Sequence, residues 1–313
     1  MFPLNPGPRR RALVTGVGFF SRHLIGRLLA DNAEVVVIGR GQQPMDLGAC
    51  TWISEDLTRL TPDTWRAHGI EFLDEVFHLA SFTPKSGQEA DDVDRIFADS
   101  VLATRSLLKS LAGMQPRFLF TSTLDVYGRP TSSRPIAEDD GLNPGNLYAA
   151  SKVYCEHMVR ASCERAGYES CVLRVGHLYG PGEGHYRKLI PETIRRLRKG
   201  ERPMVYGDGS AQTDLLYVED AAAELVRVAA QRPLPAGPIN LCGPSVSLLE
   251  VVETLVELSG WTGGLEILHD KPNPESLQLD DRRLREVLGQ RALTPLREGL
   301  RRELGKTTKE CVE

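Results

Sequence analysis

The stretch R-A-L-V-T-G-V-G-F-F-S at residues 11–21 decides the fold. Arg11 to Thr15 reads as a short apolar strand, and it runs straight into the turn Gly16-Val17-Gly18. A helix to about Ala30 and a second strand from Glu34 to Ile38 follow. Strand, glycine turn, helix and strand in that order give a glycine motif its meaning. Gly16 permits the tight turn and Gly18 lets backbone approach a pyrophosphate, with Phe19 and Phe20 beside it. The helix start then offers free N–H groups and the positive dipole end to the anion. Ser21 stands at the third small position, where helix packs on strand. At the end of the second strand an acidic residue would bind the ribose 2′-hydroxyl of NAD. Gly39-Arg40 stands there instead. A guanidinium suits a 2′-phosphate, so these two residues favour NADP over NAD.

Composition bounds the rest. A length of 313 residues with 41% apolar residues suits one large or two intimately joined domains with a full core. A net charge of −4 gives no reason to expect nucleic acid or membrane partners. The six cysteines form no C-x-x-C pair and no metal spacing, which predicts reduced thiols in a cytoplasmic protein and no metal. No apolar run reaches the ~20 residues of a membrane span. The proline- and arginine-rich opening lacks the apolar core of a signal peptide and reads as a loose arm.

Further along, Thr51 to Ile53 reads as a third strand, leading to Asp56 and Leu57 at the expected adenine edge. Thr61-Pro62 starts a short helix. Glu75 to Ala80 is a buried strand whose end, Leu79-Ala80-Ser81, faces the cofactor side, while His78 within it reads as a core histidine. A long helix is predicted over roughly 90–111, then a strand over Arg117 to Ser122 that carries Thr121. Of the eight tyrosines only Tyr148 has a lysine, Lys152, four residues on. Leu147 to Ala166 reads as a helix, on which positions i and i+4 share a face. Free tyrosine titrates near pH ~10, and a fixed ammonium beside it favours the phenolate. A phenol so tuned is a base for a hydroxyl proton.

The order of glycine turn, D-L at 56–57, H-L-A at 78–80, S-T-L-D-V-Y-G at 122–128 and Y-A-A-S-K at 148–152 resembles the extended short-chain dehydrogenase/reductase family. The branch is that of the nucleotide-sugar epimerases and dehydratases. Later segments agree: L-Y-G-P-G at 178–182, K-L-I-P at 188–191 and Y-G-D-G at 206–209. The resemblance implies an α/β Rossmann domain, a doubly wound parallel sheet, over 9–175 and 214–242. A smaller mixed α/β substrate-binding lobe would take 176–213 and 243–304, leaving 1–8 and 305–313 as flexible ends. It implies an NAD(P) cofactor, with Thr123 polarising the sugar oxygen, Tyr148 as acid/base, and Lys152 as its electrostatic partner and ribose anchor. It also implies a homodimer paired through the helices near 90–111 and 147–166. The implied chemistry is transient oxidation, in which hydride leaves a sugar carbon and the neighbouring C–H becomes acidic.

Departures from the family pattern narrow the reading. Where dehydratases carry an acid and a glutamate, this chain has Leu124 and Asp125. An ordinary 4,6-dehydratase is disfavoured, since a leucine donates no proton and general acid catalysis is worth ~10²–10⁴ in rate. Asp125 leaves base chemistry beside the ketone open. On the substrate side, the family's asparagine corresponds to His177 and two phosphate-clamping arginines fall on Thr213 and Lys271. Arg187 and Lys188 are candidates for the missing cation; Arg195, Arg196, Arg198, Lys199 and Arg202 read as a solvated face. Three functions remain: a redox-neutral sugar-modifying enzyme, an NADPH-consuming keto-sugar reductase, or a non-catalytic dinucleotide sensor.

Overall fold

A computed structural model of the protein describes residues 9–85, 89–130, 134–184 and 188–306. Of the expected flexible ends, 1–8 and 307–313 lie outside the described residues, while 305 and 306 belong to the last helix.

The glycine-turn unit forms as the residue pattern dictates. β1 (Arg11–Thr15) and β2 (Glu34–Gly39) pair in parallel, joined by α1 (Phe19–Ala30). Ser21, Leu24, Ile25 and Leu28 are the buried residues of α1, at the i, i+3, i+4, i+7 spacing of one helical stripe. β3 (Thr51–Ser54), the short α2 (Pro62–Ala67) and β4 (Glu75–His78) follow. Next comes a helical rod of three parts: α3 (Val93–Ile96), a π-helical segment Phe97–Leu102, and α4 (Ala103–Ser110). The π segment interrupts what the sequence predicts as one regular helix. β5 (Arg117–Thr123) leads to α5 (Leu147–Ala166), which Asn146 caps by accepting from the Ala149 N–H at 2.8 Å and Gly167 ends at φ +76°.

β6 (Ser170–Val175), β7 (His177–Tyr179), α6 (Leu189–Arg198), β8 (Met204–Tyr206), β9 (Gln212–Tyr217), α7 (Val218–Ala229) and β10 (Pro238–Leu241) come next. β11 (Ser245–Ser247), α8 (Leu248–Ser259), β12 (Glu266–Leu268), α9 (Arg282–Leu288) and α10 (Leu296–Lys306) complete the chain. The main sheet has the order β3-β2-β1-β4-β5-β6-β10, with every pairing parallel. The crossover between β1 and β4 opens a crevice at the strands' carboxyl ends, the usual ligand site of such sheets. One face of the sheet packs α1 and α7 and the other α4 and α5, so strand residues such as Val14 and Phe118 are fully buried. Each such side chain contributes ~1.5–3 kcal/mol by leaving water.

A second assembly holds the sheet β11-β9-β7, the pair β12-β8, and a core of Tyr179, Ile190, Ile194, Tyr217, Leu255 and Leu300. The expected division at 213/214 falls inside β9. Leu284 and Leu288 of α9 join the core of the main sheet, although the resemblance places their segment in the smaller lobe. Arg291 fixes that arrangement by a two-pronged pair with Glu224 of α7 at 2.6 and 2.9 Å, both side chains almost fully buried. Losing one partner of such a pair costs ~3–5 kcal/mol, because the other charge stays buried. Among the described residues no helix is long and apolar enough to cross a membrane, and the five described cysteines are all unbridged.

Asp214 of β9 is buried and accepts the Leu279 N–H. Burial raises its carboxyl to about 6, against the Leu279 bond that lowers it. The folded state therefore disfavours the ionised form above pH 6, and this cost fades as pH falls toward the ordinary carboxylate range. Asp214→Asn should raise Tm at pH 8 by ~3–6 °C, with the gain shrinking by pH 5. A variant equally destabilised at both pH values in thermal melts would contradict this.

Candidate active site

The crevice is a cavity of ≈ 780 Å³ at the carboxyl ends of the central strands. Its first wall is the glycine turn. Gly16 has φ +78°, and a Cβ there would stand 3.1 Å from Ala80, so only glycine lets this turn lie against the end of β4. The Gly18 N–H donates to Ser21 Oγ at 2.7 Å, making Ser21 a buried cap as well as a packing residue. Gly18, Phe19, Phe20 and Ser21 line the cavity where α1 begins. Thr15 Oγ1 accepts the Leu79 and Ala80 N–H groups and bonds His78 Nδ1 at 2.8 Å. His78 Nε2 meets Thr104 Oγ1 at 2.9 Å. Burial, helped by the Lys152 charge, lowers His78 to about 3, so it is a neutral, satisfied core histidine.

The second wall carries Gly39, Arg40, Asp56 and Leu57. Gly39 packs under Trp52, whose ring lies 2.7 Å from where a Cβ would project. The Thr58 hydroxyl and N–H donate to Asp56, holding its carboxyl below the usual range. Arg40 is not unopposed: its Nη1 lies 3.4 Å from Asp99 Oδ1 on the π segment. The phosphate-binding role read from Gly39-Arg40 assumed a bare guanidinium, and this pair weakens it.

Deeper in, β5 and α5 bring the central residues together. Ser81, Thr121, Thr123, Asp125, Tyr148 and Lys152 all line the cavity. Lys152 is buried, and its Nζ donates to the Thr121 carbonyl at 2.9 Å. The ammonium lies 6.0 Å from the centre of the Tyr148 ring. Burial lowers Lys152 to about 8, so it is still mainly charged at neutral pH. Thr123 Oγ1 donates to Asp125 Oδ2 at 3.1 Å. Asp125 opens onto the cavity, yet the surrounding protein raises its carboxyl, opposed by the Thr123 bond and then by the Lys188 charge. Leu124 is buried in the wall between them.

The expected substrate residues divide. His177 and Lys188 line the cavity. Thr213 stands behind His177, bonding its Nδ1 at 3.0 Å, and burial lowers that imidazole to about 4, so it is neutral at pH 7. Lys188 pairs with the buried Glu183 at 3.1 Å. Lys271 is not among the residues lining the cavity; it is exposed, with Asp270 3.7 Å away. Arg187 lies outside the described residues. Arg195 and Arg196 pair with Glu192 along α6, consistent with a solvated face. Sequence reasoning missed Ser122, whose buried Oγ lines the cavity with no hydrogen-bond partner among the described residues. It also missed Trp52, Asp99 and Glu183, none of which sits in a readable motif.

These features fit a dinucleotide: a glycine turn that a Cβ would block, a helix start on the cavity wall, and an unsatisfied buried hydroxyl at the inner end. In protein carrying ¹³C-labelled lysine, one side-chain resonance should titrate near pH 8 and vanish in Lys152→Arg. A midpoint at or above the ordinary lysine value would show that burial does not set this charge.

Known proteins agree with the geometry. The family model described as NAD dependent epimerase/dehydratase matches residues 12–242. The chain is 27% identical over 320 residues to UDP-glucuronic acid decarboxylase 1 of Xenopus tropicalis, covering 98% of this chain and 74% of that protein. It is 26% identical over 310 residues to dTDP-4-dehydro-6-deoxy-D-allose reductase of Streptomyces bikiniensis, covering 93% and 94%. The solved structure of MoeE5 in complex with UDP-glucuronic acid and NAD superposes with TM-score 0.80 at 29% identity, covering 96% and 99%. That structure holds NAD, and nothing in the likenesses favours NADP. By sequence and by fold, this chain belongs to the NAD dependent epimerase/dehydratase family of enzymes.

Proposed function

We propose that the protein modifies a nucleotide-activated sugar without net redox change, using NAD. The observation that carries this reading is that Tyr148, Thr123 and Asp125 line one cavity with the Asp125 carboxylate bonded to the Thr123 hydroxyl. The main sheet and its helices, α9 among them, would hold the dinucleotide, and the assembly of β7, β8, β9, β11 and β12 with α6, α8 and α10 the sugar nucleotide. Gly16, Gly18, Phe19, Phe20 and Ser21 would take the pyrophosphate, Asp56 and Leu57 the adenine edge, and Leu79, Ala80, Ser81 and Thr121 the inner portion. Bound NAD supplies reversible two-electron oxidation of a sugar hydroxyl.

The chain's own residues do the rest. Tyr148 takes the hydroxyl proton, and the Lys152 ammonium favours its phenolate while the Thr121 carbonyl holds that ammonium in place. Thr123, whose hydroxyl proton goes to Asp125 before substrate binds, turns it to the sugar oxygen in the complex. Asp125, raised above the ordinary carboxylate range, is the base for the C–H made acidic by the neighbouring ketone. The neutral His177, fixed by Thr213, and Lys188 face the rest of the substrate. Leu124 itself donates no proton to a leaving hydroxide, which favours epimerisation at the carbon beside the ketone over dehydration.

A second reading, a keto-sugar reductase, is favoured by the same absent acid and by the likeness to the Streptomyces reductase. Incubation with candidate nucleotide sugars, without added cofactor, tests the first. Turnover should persist, fall by ~10²–10⁴ in Asp125→Asn, and be lost in Tyr148→Phe. Stoichiometric consumption of reduced dinucleotide with a keto-sugar would replace it by the second, and unchanged turnover in Tyr148→Phe would remove both.

The protein would work as a homodimer. Val93 and Phe97 on the three-part rod, and Leu147 and Tyr154 on the adjacent α5, are large apolar side chains left exposed. Exposed apolar clusters of this kind mark association sites. Light scattering should give twice the chain mass for the native protein and the single-chain mass for the variant Phe97→Glu with Tyr154→Glu. A native monomer would sink the dimer.

A further inference from the structure

We infer that Asp99 selects the cofactor: it engages Arg40 across the adenosine end of the cavity and sets the site against a 2′-phosphate. This rests on the reading of the cavity as a dinucleotide site and goes beyond it. Arg40 follows β2, and Asp99 lies 59 residues later on the opposite wall, with Nη1 and Oδ1 3.4 Å apart. Both line the cavity.

Asp99 is held firmly. Its neighbour Ser100 is 2% exposed. Ser100 Oγ accepts the Phe82 N–H at 3.2 Å, and its carbonyl accepts the Thr104 hydroxyl at 2.7 Å. The π segment is thereby pinned to the loop after β4, and Asp99 is presented at a fixed place. Arg40 is less enclosed, with a side chain 69% exposed against 24% for Asp99.

Charge decides the consequence. Among the described residues lining this end, Arg40 is the cation and Glu55, Asp56 and Asp99 are the carboxylates; Arg59, outside the lining, stands 3.9 Å from Glu55 and offsets part of that negative charge. A ribose 2′-hydroxyl is neutral and can donate to a carboxylate. A 2′-phosphate brings roughly −1.5 to −2, must displace Asp99 from the guanidinium, and then faces three like charges. The β2 end lacks the acidic residue that usually accepts the 2′-hydroxyl. Asp99 supplies a carboxylate from another element, and Arg40 acts as its counter-ion.

The test is equilibrium binding of NAD and NADP to cofactor-stripped protein, read by quenching of tryptophan fluorescence, since Trp52 lines the same wall. The native protein should bind NAD more tightly. Asp99→Asn should shift the ratio of the two dissociation constants toward NADP by about two- to fivefold, the scale of a partly exposed ion pair. Adding Arg40→Ser to that variant should cut the shift back, by the part that the released guanidinium produces. A ratio indifferent to Asp99→Asn, or a native preference for NADP, would overturn this role while leaving the dinucleotide site intact. Binding of neither dinucleotide would overturn the cofactor reading, and this inference with it.

Discussion

A buried ammonium organises the site. Lys152 has lost almost all contact with water, so its charge survives only because fixed acceptors replace the solvent. The carbonyl of Thr121 is the acceptor that the geometry provides, at the carboxyl end of β5. That single bond ties α5 to the sheet at the point where the strand ends. It places Tyr148, one helical turn earlier, and Thr123, two residues further along the strand, on the same cavity. The parallel sheet matters here because its strands all release their ends on one side. Residues far apart in the chain thus meet without a long loop.

The glycine turn and the Thr15–His78–Thr104 chain serve the same end from the other side of the crevice. Thr15 gathers two backbone N–H groups and a histidine nitrogen. His78, kept neutral by its surroundings, passes the connection on to α4. The floor of the cavity is therefore a hydrogen-bonded lattice built from buried polar groups, each with a partner. Among the described residues at this floor, Ser122 is the one whose buried hydroxyl has no partner.

Much of this was legible in the residues. Near-continuous apolar runs such as 35–38 announce buried parallel strands, and the glycine turn announces the crevice. Tyr148 and Lys152 are readable because helical geometry makes four residues a fixed distance. What stayed hidden depends on contacts between distant segments. Nothing in the local pattern says that Asp99 meets Arg40, or that Trp52 roofs Gly39, since each contact exists only once the sheet is assembled. The placement of α9 shows the same limit: its apolar stripe is plain, but the partner of that stripe is α7, fixed by a buried arginine that no spacing rule reveals. Lys271 shows the opposite failure, where a cation marked out by its position in the chain stands away from the cavity.

The π-helical segment between α3 and α4 has a consequence of its own. Widening one turn inserts an extra residue and rotates everything beyond it by about 100° of helical phase. The two ends of one continuous rod thereby present stripes that a regular helix could not show together: Val93 and Phe97 outward, then Leu107 and Leu108 against the sheet. Removing a single residue there would keep the composition and the helix almost intact. It would still turn Asp99 and Ser100 away from their places, so the length of this rod, and not only its residues, sets where the cavity wall stands.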